Sequence, residues 1–306
     1  MKNNRKITLT NTKCAVCGKN SKYKIKFSAS FKISDFNTNT FLSRKIPGKS
    51  HYRMVECDKC HLLYSNPIIK EKFISHLYTE SSVPLHSDLE NASNIYLSYL
   101  NNTLKRISKS SSILDIGCGN GFFISKLKRL GYKNVFGVEP SKDSIKFLPK
   151  NISKKNIKVG LYKKKMFPKD KFDLICFFQV FDHLIDPNKF LNDCFYSLKK
   201  GGYIFALMHD TESMSLKILQ DKSPIIDVQH IYLFNKNNIR IMFEKNKYEV
   251  LDVFSTYSKY SLIYWIKMGP FPKFMKSFFE KIGHNTLTDF PISLPAGNMA
   301  IVARKK

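Results

Sequence analysis

Hydrophobic and polar positions alternate along the chain in a pattern that predicts strands and helices in turn from residue 111 onward. Short apolar runs are each followed by segments in which apolar residues recur every three or four positions, the spacing of a helix packed on one face. The predicted strands are 113–116, 134–138, 157–159, 172–178, 203–207, 248–254 and 298–303. The predicted helices are 122–130, 141–147, 187–198 and 235–244, with a turn at 199–202 and further helices within 67–110.

This order of elements predicts an α/β fold with a doubly wound, mainly parallel sheet of seven strands. Ligands of such sheets bind beyond the carboxyl ends of the strands. Asp115, Glu139 and the segment 178–183 all fall at predicted strand ends. The sequence therefore predicts a ligand site at that edge of the sheet.

The segment ILDIGCGNGFF joins the first of these strands to its helix. Gly117 and Gly119 suit a dinucleotide-binding loop, but the third glycine position of that motif is Phe122, and the glycine stands one residue earlier, at Gly121. Asp115, just before the loop, would repel a pyrophosphate and attract a ligand that carries an ammonium and a sulfonium group. The loop therefore favours S-adenosylmethionine over a dinucleotide.

Four segments in order resemble the class I S-adenosylmethionine-dependent methyltransferases: LDIGCGNG, GVEP, FDLICFFQVFDHLIDP and LKKGGYIFAL. The resemblance covers 113–303 and implies a Rossmann-like methyltransferase sheet. It implies cofactor binding at residues of three strand ends, namely Asp115, Gly117, Gly119, Gly121, Glu139, Phe178 and Gln179. Asp115 would face the amino group of the cofactor, and Glu139 would accept hydrogen bonds from both ribose hydroxyls. The chain departs from the family pattern where no acid follows the third strand, and where the usual Glu-His pair reads Asp182-His183.

Two Cys-x-x-Cys pairs stand near the N-terminus: Cys14 with Cys17, and Cys57 with Cys60. Each pair places two thiolates on one side of a tight turn, and two such turns supply the four ligands of a structural zinc ion. Four unrelated thiols or a redox pair are the alternatives. His61 is left out of the ligand set, since a fifth ligand is not needed. The segment 57–67 resembles the "CxxCGLxxxNP" start of a bacterial and archaeal subgroup, common among sugar and polysaccharide methyltransferases.

Three histidines at the same predicted edge are candidates for catalysis. His183 follows the fourth strand and is the first candidate for a general base that takes the proton of a hydroxyl acceptor. His209 and His230 are weaker candidates that could bind the acceptor. A purely structural role is the alternative for each.

The chain divides into a zinc-binding module (1–66), a helical connector (67–110) and a methyltransferase domain (111–306). Within the last, the aromatic and basic segment 257–291 is expected to be a lid over the acceptor site, with contact to a membrane surface as the alternative.

The chain has 306 residues, 43% of them hydrophobic, and a formal net charge of +27. Most of the basic residues are lysines spread along the chain, so a solvated basic surface is favoured over a nucleic-acid partner. The sequence shows neither a signal peptide nor an apolar run of membrane-spanning length, so we expect a cytoplasmic protein.

These observations together predict S-adenosylmethionine-dependent methyl transfer to a small-molecule hydroxyl, such as that of a sugar nucleotide or a lipid-linked sugar. An RNA methyltransferase, an NAD-dependent sugar enzyme and a non-catalytic cofactor-binding protein are the alternatives. The acceptor, the atom methylated and the oligomeric state stay open.

Overall fold

A computed structural model describes residues 8–38, 40–41, 50–81, 89–268, 271–283, 288 and 290–306. Its strands are β1 (Leu9–Thr10), β2 (Tyr23–Phe27), β3 (Met54–Cys57), β4 (Leu63–Ser65), β5 (Ile68–Ile69), β6 (Ser112–Ile116), β7 (Asn134–Glu139), β8 (Ile157–Val159), β9 (Phe172–Phe178), β10 (Leu198–His209), β11 (Tyr232–Leu233), β12 (Tyr248–Ser261) and β13 (Pro291–Lys305). Its helices are α1 (Glu71–Thr79), α2 (Leu89–Leu104), α3 (Phe122–Arg129), α4 (Pro187–Ser197), α5 (Met214–Leu219), α6 (Lys236–Lys245), α7 (Leu262–Met268) and α8 (Lys273–Ile282).

The central sheet has seven strands in the order β12-β13-β10-β9-β6-β7-β8. The pairs from β10 across to β8 are parallel, and β13 runs antiparallel to both β10 and β12. This arrangement confirms the predicted α/β fold with a mainly parallel, seven-stranded sheet. Because β6, β7, β9 and β10 are parallel, their carboxyl ends meet at one edge.

The centre of the sheet is apolar because β9 is buried on both faces. Four consecutive residues of that strand, Leu174, Ile175, Cys176 and Phe177, are fully buried, as a central parallel strand requires. The cysteines at 118, 176 and 194 are free and buried, and they serve as small core residues.

A second, four-stranded sheet has the order β11-β4-β3-β2. Three of its strands come from the cysteine-containing N-terminal region, but β11 comes from the chain that follows β10. Tyr232 of β11 stacks on Tyr64 of β4 with the ring centroids 6.0 Å apart. The N-terminal region and the central sheet are thus joined by strand pairing as well as by the connecting chain.

The predicted helix at 141–147 is wrong, because only a 3₁₀ turn forms at Ser144–Phe147. The Ser141 hydroxyl does accept a hydrogen bond from the Ser144 amide, at 3.3 Å, as a cap would. However, Pro149 disfavours helical backbone at the residue before it, and Leu148 is extended (φ −64°, ψ 135°). The proline therefore ends the turn before a helix can develop.

Three strand boundaries also differ from the prediction. The predicted turn at 199–202 lies within β10, at a register shift between Leu198 and Tyr203. β12 and β13 are longer than predicted because Ser258–Ser261 pair with Pro291–Leu294. The helical pattern expected from residue 257 therefore begins only at α7. Residues 269–270, 284–287 and 289 of the segment 257–291 lie outside the described residues.

None of the helices in the described part of the chain combines the length and apolar character that a bilayer span needs.

Candidate active site and metal centre

The loop after β6 has the backbone of a tight, glycine-dependent turn. Gly117, Gly119 and Gly121 all have positive φ angles, of 76°, 55° and 77°. The Gly117 amide donates to the Val138 carbonyl at 2.8 Å, which holds the loop against the end of β7. A Cβ atom on Gly117 would lie 2.5 Å from Val180, whereas one on Gly119 would meet nothing within 4 Å. The backbone at Gly119 is therefore open to close approach by a ligand.

Glu139, at the end of β7, is held in place by the loop. Its two carboxylate oxygens accept hydrogen bonds from the Gly119 amide at 2.8 Å and the Ser141 amide at 2.9 Å. Burial raises the pKa of Glu139 above its ordinary value, and the two backbone hydrogen bonds oppose that rise. Each carboxylate oxygen has a second lone pair, so the group can still accept hydrogen bonds from a diol.

Asp115 is a buried carboxyl group without a full set of partners. Its Oδ1 atom is buried and accepts no hydrogen bond from the residues that the structure describes. Burial raises the pKa of Asp115 well above its ordinary value, and the negative charge of Glu139 raises it further. Asn120, in the loop itself, has a buried Nδ2 that likewise makes no hydrogen bond. These polar atoms suit a ligand that brings a cation and hydrogen-bonding groups.

Phe178 and Gln179 lie at the end of β9 and have different surroundings. The Phe178 ring stacks on Tyr96 of α2 with centroids 4.2 Å apart and an interplanar angle of 6°. Gln179 has a left-handed backbone (φ 55°), and its amide donates to the Leu207 carbonyl at 2.7 Å. Its Nε2 donates to Oδ1 of Asn298 at 3.1 Å. The sequence analysis missed Tyr96, because a tyrosine on a helix outside the motifs gives no signal of its position.

The structure brings the three candidate histidines together into one histidine cluster (His183, His209 and His230). The ring of His230 lies between the other two, with centroids 4.9 Å from His183 and 4.7 Å from His209. The three residues come from the ends of β9 and β10 and from the chain before β11. Tertiary packing therefore brings together three histidines that are spread over nearly fifty positions of the sequence.

Hydrogen bonds fix the tautomers of two of these rings. Nδ1 of His230 lies 2.8 Å from the carbonyl oxygen of Ile225, which can only accept, so Nδ1 carries the proton. Nδ1 of His209 lies 2.9 Å from Oδ1 of Asn298, which also accepts. In both rings Nε2 is therefore the basic nitrogen. Burial lowers the pKa of His209 to about 3, with His230 contributing, so His209 is neutral around pH 7.

His183 is held by a tyrosine from outside the predicted methyltransferase domain. Its Nδ1 lies 2.8 Å from the hydroxyl of Tyr78 in α1. Burial lowers the pKa of His183 well below its ordinary value, His230 and His209 lower it further, and a backbone hydrogen bond with Gln229 opposes them. His183 is consequently a neutral, oriented ring.

Asp182 organises the backbone around the cluster. It is fully buried, and its Oδ2 accepts a hydrogen bond from the His209 amide at 3.0 Å. The Asp182 carbonyl accepts from the Ile231 amide at 2.7 Å. Burial raises the pKa of Asp182 to about 8, and the bond from His209 opposes the rise. This residue joins the ends of β9 and β10 to the chain that enters β11.

The four cysteines of the N-terminal region converge on one point. Among the described residues, Cys14, Cys17, Cys57 and Cys60 form the one group of potential metal ligands, with all four Sγ atoms within 4.8 Å of one another. Tetrahedral zinc with Zn–S bonds of about 2.3 Å needs Sγ atoms about 3.8 Å apart. The observed spacing therefore fits zinc.

The two Cys-x-x-Cys segments of this cysteine cluster adopt the same kind of backbone turn. Gly18 donates its amide to the Cys14 carbonyl, and His61 donates to the Cys57 carbonyl, both at 2.9 Å. Both residues have positive φ angles, of 89° and 58°. The His61 ring is turned outward, with Nδ1 3.2 Å from Glu56, which agrees with its exclusion from the ligand set.

The first cysteine turn docks directly on the larger sheet's layer of helices. Asn188 of α4 donates to the Ala15 carbonyl at 2.8 Å, and Lys245 of α6 donates to the Val16 carbonyl at 2.9 Å. On the other side of the N-terminal region, the Ser65 hydroxyl donates to the His230 carbonyl at 2.9 Å. The cysteine region is therefore connected by hydrogen bonds to the histidine cluster.

Comparison with known proteins identifies the class. Residues 89–253 match the sequence model of a family described as "Methyltransferase domain", and this match covers more than half of the chain. The chain belongs to this family and carries a class I S-adenosylmethionine-dependent methyltransferase domain. The match begins at α2, before the predicted start of the domain at residue 111. It also decides against the NAD-dependent alternative.

Two curated bacterial relatives illustrate the range of the family. The chain is 30% identical to a tRNA U34 carboxymethyltransferase of Campylobacter fetus. The 154 aligned residues cover 48% of this chain and 54% of that protein. It is 31% identical to a ubiquinone biosynthesis O-methyltransferase of Bradyrhizobium diazoefficiens. Here the 113 aligned residues cover 35% of this chain and 44% of that protein. The matched part thus spans about half the length of these relatives.

Two solved structures are similar to this chain. A chain of the complex that contains the Haloferax volcanii Trm112 methyltransferase activator matches with a TM-score of 0.50 and 15% identity, over 71% of this chain and 92% of that chain. An S-adenosylmethionine-dependent methyltransferase from Archaeoglobus fulgidus matches with a TM-score of 0.46 and 20% identity, over 70% of this chain and 94% of that chain.

Proposed function

We propose that this protein transfers the methyl group of S-adenosylmethionine to a hydroxyl of a small molecule, a sugar or a polysaccharide precursor. One observation carries the proposal. Oδ1 of Asn298 accepts hydrogen bonds from both Gln179, at the predicted cofactor site, and His209, in the histidine cluster. His209, which can take a proton, is thereby linked through Asn298 to Gln179 at the predicted cofactor site.

The cofactor would be held by residues of three strand ends. Asp115 would pair with its amino group, because a cation relieves the cost of a buried, incompletely bonded carboxylate. The backbone at Gly119 would lie against its methionyl part, and Glu139 would accept from its ribose hydroxyls. S-adenosylmethionine supplies a methyl group on a cationic sulfur, so the protein's main task is to align an acceptor oxygen with that carbon.

The histidine cluster would take the acceptor's proton. His209 offers a free lone pair to a proton donor, since Asn298 holds the proton on Nδ1 and leaves Nε2 unprotonated. His183, the first candidate from the sequence, is bonded to Tyr78, which suits orientation of the acceptor and makes His183 the second candidate for the base. His230, between them, would hold both rings in place.

The acceptor class rests on the N-terminal region and on the name of one relative. The cysteine turns, with the segment 57–67, resemble the start of sugar and polysaccharide methyltransferases, and the Bradyrhizobium relative is named as an O-methyltransferase. We further propose that Cys14, Cys17, Cys57 and Cys60 bind a structural zinc ion, and that 1–66, 67–110 and 111–306 act as module, connector and catalytic domain.

A second candidate function is methyl transfer to RNA. The net charge of +27 and the tRNA named in the Campylobacter relative favour it. Against it, the charge is carried by lysines dispersed over the sequence.

Label transfer distinguishes the two functions. The purified protein is incubated with methyl-labelled S-adenosylmethionine and a cell extract, and the product is divided into low-molecular-weight, lipid and RNA fractions before and after ribonuclease. The proposal predicts ribonuclease-resistant label in sugar-containing molecules, stable to mild alkali as an ether is. Label that ribonuclease releases would instead assign the protein to RNA.

A further inference from the structure

The hairpin made by the end of β12 (258–261) and the beginning of β13 (291–294) extends past the edge where the predicted cofactor site lies. Asn298 pairs with His209, the last residue of β10, and the residues before it continue as a hairpin beyond the end of that strand. α7 and α8 stand at the tip of this hairpin. Trp265 of α7 donates to the Ile292 carbonyl at 2.9 Å, which ties the helices to the hairpin.

α7 and α8 differ in what they do with their apolar residues. Ile263 and Ile266 of α7 are buried, so this helix has a packed inner face. On α8, Phe274, Phe278 and Ile282 stand four residues apart on one face and are 72%, 59% and 42% exposed. We call these three residues the α8 face. Phe271, just before α8, and Phe290, just before β13, are also exposed. Exposed phenylalanines aligned in this way cost free energy in water unless something covers them.

We propose that the α8 face is a docking surface for an anionic lipid bilayer, which would hold the cofactor edge close to the membrane. The chemistry of the segment supports lipid as the occupant. Residues 257–291 contain five lysines, at 259, 267, 273, 276 and 281, against two acidic residues. A helix with aromatic residues on one face and lysines nearby is the usual element that lies in the interface of a membrane.

Charge also argues against the two other occupants. A second copy of the chain would bring the same lysines and a net charge of +27 against the first, so the copies would repel one another. RNA phosphates would pair with the lysines, but the aliphatic side chain of Ile282 would gain little free energy from contact with phosphates and sugars. Bilayer lipids provide both acyl chains and negative headgroups.

Docking of the α8 face needs neither cofactor nor acceptor, so it is independent of the proposed methyl transfer. Docking would bring the enzyme to an acceptor carried on a lipid, but it does not require the acceptor to be lipid-linked.

Vesicle flotation of the 306-residue chain tests the proposal. The vesicles contain either phosphatidylcholine alone or equal parts of phosphatidylcholine and phosphatidylglycerol. The protein is expected to float with the second kind only, and less so at high salt. The double substitution Phe274→Ser and Phe278→Ser is expected to weaken binding about tenfold or more, since it removes two large apolar side chains from the contact. The matched control is Ile33→Ser with Leu130→Ser, two exposed apolar residues elsewhere, and it should float like the wild type.

The proposal is overturned if the wild type does not float with anionic vesicles or if the α8 double variant floats as well as the control. If the wild type does not float but is retained on immobilised polyuridylate, and the α8 double variant loses that retention, the α8 face would be assigned to RNA. Circular dichroism melting of each variant shows whether it is folded. Labelled methyl transfer in detergent-free solution is measured separately, so a failure of docking is distinguishable from a failure of the proposed activity.

Discussion

The hydroxyl of Tyr78 lies 2.8 Å from Nδ1 of His183. The tyrosine is in α1, directly after the cysteine-containing region, and the histidine follows the fourth parallel strand of the central sheet. Burial lowers the pKa of His183 and raises that of Tyr78, so both groups are neutral around pH 7. The N-terminal half of the chain therefore takes part in orienting a side chain of the histidine cluster.

Replacing Tyr78 with Phe removes this hydrogen bond and keeps the ring that packs edge-on against Phe41 and His183. We expect the protein to stay folded and kcat to fall about fivefold to tenfold, the value of one neutral hydrogen bond. KM for the acceptor should change with it, because His183 would lose its orientation. Steady-state kinetics, with Tyr23→Phe as a control at a half-exposed tyrosine, provide the measurement. Unchanged kinetics would mean that the contact is only structural.

His209→Asn should lower kcat by about 10²–10⁴, the range for loss of a general base. Cofactor affinity should stay close to that of the wild type. Because burial holds the pKa of His209 near 3, its neutral form persists throughout the neutral range, and the kcat–pH profile should show no acid limb near 6.5 from this residue. His61→Asn, an exposed histidine paired with Glu56, is the control. Full turnover by His209→Asn with the true acceptor would rule out this assignment, and the same test on His183 would then decide its role.

Asp115→Asn should have opposite effects on stability and on cofactor binding. The folded-state pKa of Asp115 is raised, so its ionised form costs the ligand-free protein stability as pH rises above about 4, the unfolded value. The variant should therefore be more resistant to urea than the wild type at pH 7, and the difference should vanish in acid. It should bind S-adenosylmethionine about tenfold more weakly, since the ammonium loses its partner.

The linked proton gives a second readout for Asp115. Below its raised pKa, binding of a cation should release a proton, and calorimetry in buffers of different ionisation enthalpy detects it. Equal proton release by the wild type and by Asp115→Asn would contradict the role given to this residue.

The cysteine cluster should contain about one zinc ion per chain by elemental analysis. Cys57→Ala should lose the metal and lower the free energy of unfolding by more than the about 1–2 kcal/mol expected for a buried small-residue change. Cys194→Ala, at a buried cysteine of α4 outside the cysteine cluster, should keep the zinc. Chelation should also lower kcat, because Ser65 connects this region to the His230 backbone. Full zinc content in Cys57→Ala would refute the ligand assignment.

Much of the fold could be predicted because periodicity and local chemistry agree along the central sheet. β6, β7 and β9 begin and end within a residue or two of the predicted positions, and Asp186 and Asn235 cap α4 and α6 as expected. The helix predicted at 141–147 failed because the effect of Pro149 on its neighbour outweighed a favourable cap. The length of the β12–β13 hairpin was missed, since its outer rungs depend on pairing between segments about thirty residues apart.

The sequence analysis singled out candidate site residues one by one but not their arrangement. Glycines and acids at strand ends have motif spacing, so their neighbourhood could be inferred. The contacts of Tyr78, Tyr96 and Asn298 could not, because each stands on an element whose position is set by tertiary packing. For the same reason the three histidines were three separate candidates in the sequence and became one cluster only in the fold.

Every proposed step depends on S-adenosylmethionine binding at the β6 loop and Glu139, and calorimetric titration of the cofactor tests this most directly. The wild type should bind one equivalent. Glu139→Ala should bind at least about tenfold more weakly, since it loses charge-assisted hydrogen bonds to two hydroxyls. Asp143→Ala, at a half-buried acid nearby that pairs with Lys146, should bind like the wild type. Equal affinity of the wild type and Glu139→Ala would contradict the account.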